Sequence, residues 1–198
     1  KIAIYSNKGG EMSIYIIATE DGKFLSKIVT GQVTSEFEEL HILKPGVSWS
    51  PNGKQLVFSV KSGATDALVI VDVNNPKKKI KKTFDLEGII GPKWSPINNK
   101  IAFIGNNGYS SDIYVYNLDD DSLVNLTEDH FSDIQVSWHP DGEKLLFISD
   151  RGEFLNSNNP LDSDVLLNHN IENFDIYSID LNRKIKRITD TNFNENYA

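Results

Sequence analysis

The chain has no cysteine and a single methionine among its 198 residues. Disulfides, thiolate nucleophiles and thiolate metal sites are therefore excluded. No run approaches the roughly 18 to 20 apolar residues of a membrane-spanning helix, so no direct membrane insertion is expected, and no basic-then-apolar signal segment opens the chain. Helical periodicity is missing throughout. Basic residues are outnumbered, with 20 Lys and Arg against 28 Asp and Glu for a net charge of −8. Nucleic-acid phosphates demand a basic face, so no nucleic-acid partner is expected. The Gly-x-Ser-x-Gly elbow, the Gly-x-Gly-x-x-Gly turn and the phosphate loop are all missing. The four histidines, His41, His130, His139 and His169, lie in different repeats or loops without ligand spacing. No catalytic residue, metal site or cofactor is assigned.

What is present is a sentence written three times. Val47-Ser48-Trp49-Ser50-Pro51-Asn52-Gly53-Lys54, with the apolar run Leu56-Val57-Phe58 after it, returns as Lys93-Trp94-Ser95-Pro96 with Ile101-Ala102-Phe103. It returns again as Ser137-Trp138-His139-Pro140-Asp141-Gly142 with Leu145-Leu146-Phe147. The tryptophans are 45 and 44 residues apart, a period that marks a repeat architecture. Proline presets the first corner of a turn and glycine accepts the positive φ near the second, so each unit reads as strand, tight turn, strand. Trp49, Trp94 and Trp138 are read as core wedges. A third alternating run follows in each repeat: Ala67–Asp72, Asp112–Leu118 and Asp175–Leu181. A weaker fourth run closes it at Ile80–Phe84, Ser122–Thr127 and Lys184–Thr189. Four short antiparallel strands per unit of about 45 residues predict an all-β fold, a β-propeller of four-stranded blades.

Lys1-Ile2-Ala3-Ile4 matches Lys100-Ile101-Ala102-Phe103, so the chain is expected to open on the second strand of a blade. The expected organisation is a single propeller segment with about four blades: an incomplete one near 1–30, then 46–86, 91–128, and 134–190 with an insertion at 153–173. Long irregular stretches inside compact folds are often functional. The insertion therefore supplies the candidate binding residues Phe154, Leu155, Val165, Leu166 and Leu167, with a self-anchoring tuck of Phe154 and the 165–167 cluster as the competing reading. Asp119-Asp120-Asp121 is read as a hairpin turn, since calcium wants six to eight oxygens at another spacing. His139 stands where the other repeats have Ser50 and Ser95 and is read as a turn residue. Asp112, Asp150 and Asp175 are expected to cap turns. The run Lys77-Lys78-Lys79-Ile80-Lys81-Lys82 is read as a solvated edge that discourages pairing with other molecules, an anionic partner being the alternative.

The Trp-Ser-Pro-Asn-Gly-Lys run at 49–54, Phe147-Ile148-Ser149-Asp150-Arg151-Gly152, and Asp112-Ile113-Tyr114-Val115-Tyr116 with its counterpart at Asp175 resemble the TolB-type propeller repeats of bacteria. Similar repeats occur in tricorn-like and prolyl-oligopeptidase-like proteases. The resemblance departs at Ile97-Asn98-Asn99, which lacks the Asp-Gly, and at His139. It implies a ring of six to eight blades, and a non-catalytic scaffold that binds a protein or peptide in a bacterial periplasm or envelope; a small-molecule ligand is not implied. The alternative is the substrate-gating propeller of a serine peptidase whose catalytic domain lies outside this chain, and a third possibility is a carbohydrate- or ion-binding propeller. Fold does not settle function, so these remain expectations.

Overall fold

The computed structural model describes residues 1–31, 39–40, 46–155 and 171–195, and among these every regular element is a strand. The first sheet holds β1 (Ile2–Ser6), β2 (Ser13–Ile17) and β3 (Phe24–Thr30), in that order. The second is built from β4 (Glu39–Leu40), β5 (Val47–Trp49), β6 (Gln55–Ser62), β7 (Thr65–Asp72) and β8 (Asn75–Thr83). Its order is β4-β6-β7-β8, with β5 also pairing β6. The third takes β9 (Gly88–Trp94), β10 (Lys100–Asn106), β11 (Ser111–Asn117) and β12 (Ser122–Asn125) in sequence order. The fourth takes β13 (Asp133–Trp138), β14 (Lys144–Ser149), β15 (Asp175–Asp180) and β16 (Ile185–Arg187), again in sequence order. Pairing is antiparallel throughout these meanders, as with Phe58 opposite Val69 and Phe103 opposite Tyr114.

The chain divides into two compact units, Lys1–Pro92 and Lys93–Ala198. In the first unit, Leu56, Phe58 and Val60 of β6 and Ala67, Val69 and Val71 of β7 form one apolar face. That face buries Ile14 and Ile16 of β2, Ile28 and Val29 of β3, and Leu40. The β6 residues in between, Val57 and Ser59, are buried as well. The middle strands therefore read as near-continuous apolar runs where a sheet with one wet face would alternate. In the second unit, stacked Phe103–Tyr114 rings on neighbouring strands, with centroids 5.8 Å apart, and the Phe147–Tyr177 pair at 5.6 Å fill the corresponding positions. Burial falls off outward, so that β8 is mostly exposed and β12 half so.

The repeated turn works through its small polar residues. The Ser50 hydroxyl accepts from the Gln55 amide at 2.9 Å, the Ser50 carbonyl accepts from the Gly53 amide, and the Asn52 carboxamide oxygen accepts from the Lys54 amide. Gly53 closes the turn at φ +66°. In the histidine version, the His139 carbonyl accepts from the Gly142 amide and its Nδ1 lies 2.9 Å from Asp141. His139 is thus a turn residue. A second glycine is needed for closeness, because a Cβ on Gly46 would stand 2.6 Å from the Gly91 Cα. The Asp119–Asp121 segment is also a turn: Asp120 accepts from the Ser122 amide and hydroxyl, Asp119 accepts from Asn99, and Asp121 sits at φ +60° and accepts from the Tyr116 hydroxyl.

One expectation needs correcting. Trp94 is buried, but Trp49 and Trp138 are only half-buried. An indole has an apolar body and one N–H that must find an acceptor. Trp138 meets both demands at the rim, donating from Nε1 to the Lys93 carbonyl at 2.9 Å, and Trp49 packs on the margin of the first unit's core. Trp94→Ala should therefore cost about 3–5 kcal/mol in a denaturant melt, the usual toll of emptying a buried aromatic site, and Trp49→Ala distinctly less.

Candidate functional site at one end of the second unit

Alternating strand direction in an antiparallel meander sends every second connection to the same end. In the second unit, one end therefore collects the β10–β11 turn, the β12–β13 connection, the segment after β14 and the segment after β16. The parallel bridge between Ser111 and Ser132 ties the third and fourth sheets together there.

The floor of this end is built on aspartates that open the third strands. Asp112 Oδ1 accepts from the Thr127 hydroxyl and the Asp129 amide, while Thr127 accepts from the Ile113 amide at 3.0 Å. Asp175 repeats the device with the Thr189 hydroxyl and the Thr191 amide, and Thr189 accepts from the Ile176 amide at 2.8 Å. Asp150 accepts from the Ser132 amide at 2.8 Å, pinning the connection into β13. The first unit's Asp66 serves likewise, accepting from the Ile89 amide at 2.8 Å. Short polar side chains that bond backbone amides close to hand are suited to this work.

In the fourth sheet the floor carries an addition. Arg151 is completely buried, the largest side chain to be so among the described residues. Its Nη1 lies 2.9 Å from Asp129, its Nη2 2.7 Å from Asp133, and its Nε donates to the Ser149 hydroxyl at 3.1 Å. The guanidinium plane is surrounded by the Phe131, Phe147 and Tyr177 rings, with centroids 5.5, 5.1 and 5.8 Å away. A planar, weakly hydrated cation with a fork of donors is the one cationic side chain that suits such a place. Two carboxylates facing one guanidinium leave an excess negative charge in a dry site. Burial raises Asp129 to about 7 despite the pull of Arg151, and the Asp133 charge adds to the rise. Burial also pushes Asp133 up, with Arg151 and the Thr127 and Ser149 hydroxyls opposing it. On Arg151 itself the two carboxylates outweigh burial and hold the guanidinium firmly protonated.

Asp112, Asp129 and Asp133 bring carboxylate oxygens within 4.8 Å of one another. The set does not suit a hard cation, which wants six to eight oxygens. The Arg151 guanidinium already supplies the positive charge, and both oxygens of Asp112 are engaged, Oδ2 by Ser110 and Asn125.

Above this floor, Phe154 stacks on Phe131 at 5.4 Å and its amide donates to the Arg151 carbonyl. Of the candidate binding residues, Phe154 is thus tucked against its own blade and Leu155 is exposed, while Val165, Leu166 and Leu167 lie outside the described residues. The Tyr177 hydroxyl donates to the Gly152 carbonyl, and Arg187 pairs with Glu153, Asp175 and Asp190. The same end presents Tyr109, 98% exposed, Phe193, 78%, and Ile171, 67%. Sequence reasoning missed the Arg151 cluster and these three residues. Its available signal was an arginine set directly between Asp150 and Gly152, at the close of a strand otherwise apolar.

Meander sheets whose buried second and third strands give way to more exposed outer ones, three of them carrying the same aspartate cap at Asp66, Asp112 and Asp175, define the class: a β-propeller segment. Residues 38–154 match the family described as the TolB beta propeller domain, more than half of the chain, and the chain belongs to that family. It is 25% identical over 144 residues to the Tol-Pal system protein TolB of Francisella tularensis, covering 70% of this chain and 31% of that protein. The chain thus spans about a third of the length of the curated relatives it matches. Among solved structures, TolB from Acinetobacter baumannii superposes with a TM-score of 0.70 at 21% identity, covering 98% of this chain and 42% of that one. The tricorn protease gives 0.56 at 18% identity, covering 86% and 16%.

Removing the cation while leaving the carboxylates should be severe. Arg151→Leu is expected to cost about 3–5 kcal/mol, the range for breaking one side of a buried ion pair, and Arg151→Lys should recover only part because one ammonium cannot fork to two carboxylates. Asp129 behaves in the opposite sense. Its folded pKa of about 7 lies above the unfolded value of about 3.9, so its protonation favours the folded state. That contribution is full below about pH 4 and is lost as pH rises to about 7. Thermal melts across this window should show Asp129→Asn flattening the fall in stability relative to the parent chain.

Proposed function

We propose that this chain is a non-catalytic propeller scaffold that binds another protein or peptide through the end described above, in a bacterial periplasm or envelope. Six to eight blades would complete the ring. The observation that carries the reading is the exposure of Tyr109, Leu155, Ile171 and Phe193 at one end, over a floor fixed by Arg151. Large apolar side chains grouped on a rigid base are the usual anchors of protein recognition. Phe154 positions the start of the insertion, and Leu155 with Val165, Leu166 and Leu167 supplies further apolar contact. The TolB relatives, named for the Tol-Pal system, support an assembly of that type as the setting.

The test is co-purification from cross-linked envelopes with the Pal protein of the same cell. Tyr109→Ala with Phe193→Ala should reduce recovery of Pal at least about tenfold, as the loss of two interface anchors does, with an unchanged melting curve. Undiminished recovery would exclude this end as the binding face. The likeness to the tricorn propeller supports a second reading, a gate for a serine peptidase domain encoded in the same gene. A Gly-x-Ser-x-Gly elbow in that gene, with Asp and His following, would favour the gate over the scaffold.

A further inference from the structure

Arg151 is a single cation facing an excess of acid. Asp129 and Asp133 both bond its guanidinium, at 2.9 and 2.7 Å, and Asp112 brings a third carboxylate oxygen within 4.8 Å of theirs. When both bonded carboxylates are ionised, the pair and its guanidinium carry one negative charge in excess, in a dry site where an uncompensated charge is strongly unfavourable. Two events restore balance. Either one carboxylate takes up a proton, or one of them moves out to water and leaves the guanidinium with a single partner.

The two carboxylates are not equally able to leave. Asp133 belongs to β13, where it pairs with Ser149 of β14, and its side chain is wholly buried. Asp129 belongs to the connection between β12 and β13, and its side chain keeps 8% exposure. The connection is held by single bonds, the Asp129 amide donating to Asp112, the Phe131 amide to Asp129 and the Ser132 amide to Asp150. Glu128, just ahead of Asp129, stands at φ +45°, a left-handed conformation that a residue with a Cβ adopts at some cost. Opening of the connection relieves that strain as well.

We propose that the connection over residues 126–132 is a proton-operated latch, closed while Asp129 is a neutral acid and released once it ionises, with the third and fourth sheets left in place. Burial sets the turning point, with the Asp129 pKa raised to about 7. Arg151, from the end of β14, favours the ionised form. Asp133 from β13, Asp112 from β11 and Asp150 from the end of β14 oppose it by their charge. On the flanking residues, Glu128 is paired with Arg183, His130 is exposed, and Glu153 beyond Arg151 is paired with Arg187. The folded pKa lies above the unfolded one, so the closed form is favoured below about pH 7 and loses ground above it. Release would carry Phe131 away from Arg151 and from Phe154. It needs no bound partner.

The test is amide hydrogen exchange on the whole chain, read by mass spectrometry and corrected for the intrinsic effect of pH. Local opening of this kind appears as exchange confined to one segment. From about pH 5.5 to about pH 8, peptides spanning residues 126–132 should gain about thirtyfold in exchange, as a carboxyl of pKa about 7 when closed and about 3.9 in water requires. Peptides from β14 should not follow. Asp129→Asn should keep the connection protected at both pH values. Asp133→Asn should do the same, because Arg151 then faces one bonded carboxylate, and it decides the matter should the first variant fail to fold. His130→Gln should leave the transition as it is. Equal protection at both pH values, a transition that survives in Asp129→Asn or Asp133→Asn, or equal loosening of β14 would overturn the latch. Loss of the transition in His130→Gln would overturn it in favour of the histidine.

Discussion

A meander of four short strands has two faces and too little of its own to cover either, and this constraint governs the structure. Where the middle strands must be buried on both sides, alternation of polar and apolar residues disappears and the strand becomes apolar almost throughout, as in the run from Leu56 to Val60. Such a sheet can exist only beside another like it. Repetition in the sequence is therefore a requirement of packing, and every repeat must spend its polar residues on turns and strand ends. The Ser50 and Asn52 bonds at one end of a hairpin and the Asp112 and Thr127 bonds at the other are the outcome.

The Arg151 site follows from that arrangement carried one step further. Where the fourth sheet opens into its insertion, the chain has no tight turn to close the ends of β14 and β15. A buried guanidinium takes over, binding Asp129 and Asp133 and lying among three aromatic rings. Ion pairs of this kind add little net stability against an apolar substitute of the same shape, but they are costly to break from one side. They also fix direction, which packing alone does not. The Arg151 side chain, together with Asp112 and Asp150, holds the connection from β12 and packs beside Phe131, on which Phe154 stacks.

Much of the fold could be read in advance because its signals are local. Trp, Pro and Gly at fixed offsets, and runs of alternating β-branched and aromatic residues, define hairpins without reference to anything distant. The turn roles of His139 and Asp119–Asp121 were legible on the same ground. The half-burial of Trp49 and Trp138 was not, since three similar copies in a sequence conceal the different margins at which each indole lies. The proposed binding end was legible only in part: the insertion drew attention to Phe154 and Leu155, but Tyr109 and Phe193 belong to other segments. They share an end only because strand direction alternates.

By itself, then, the sequence determined the period, the strand and turn chemistry and the propeller class, since each depends on residues within a few positions of one another. Tertiary structure alone decided that Arg151 would meet Asp129 and Asp133, 22 and 18 residues away, and that separate turns would come to the same end of the second unit. Those are matters of register, and they are fixed by pairing across the fold, where a linear pattern carries no record of its partner.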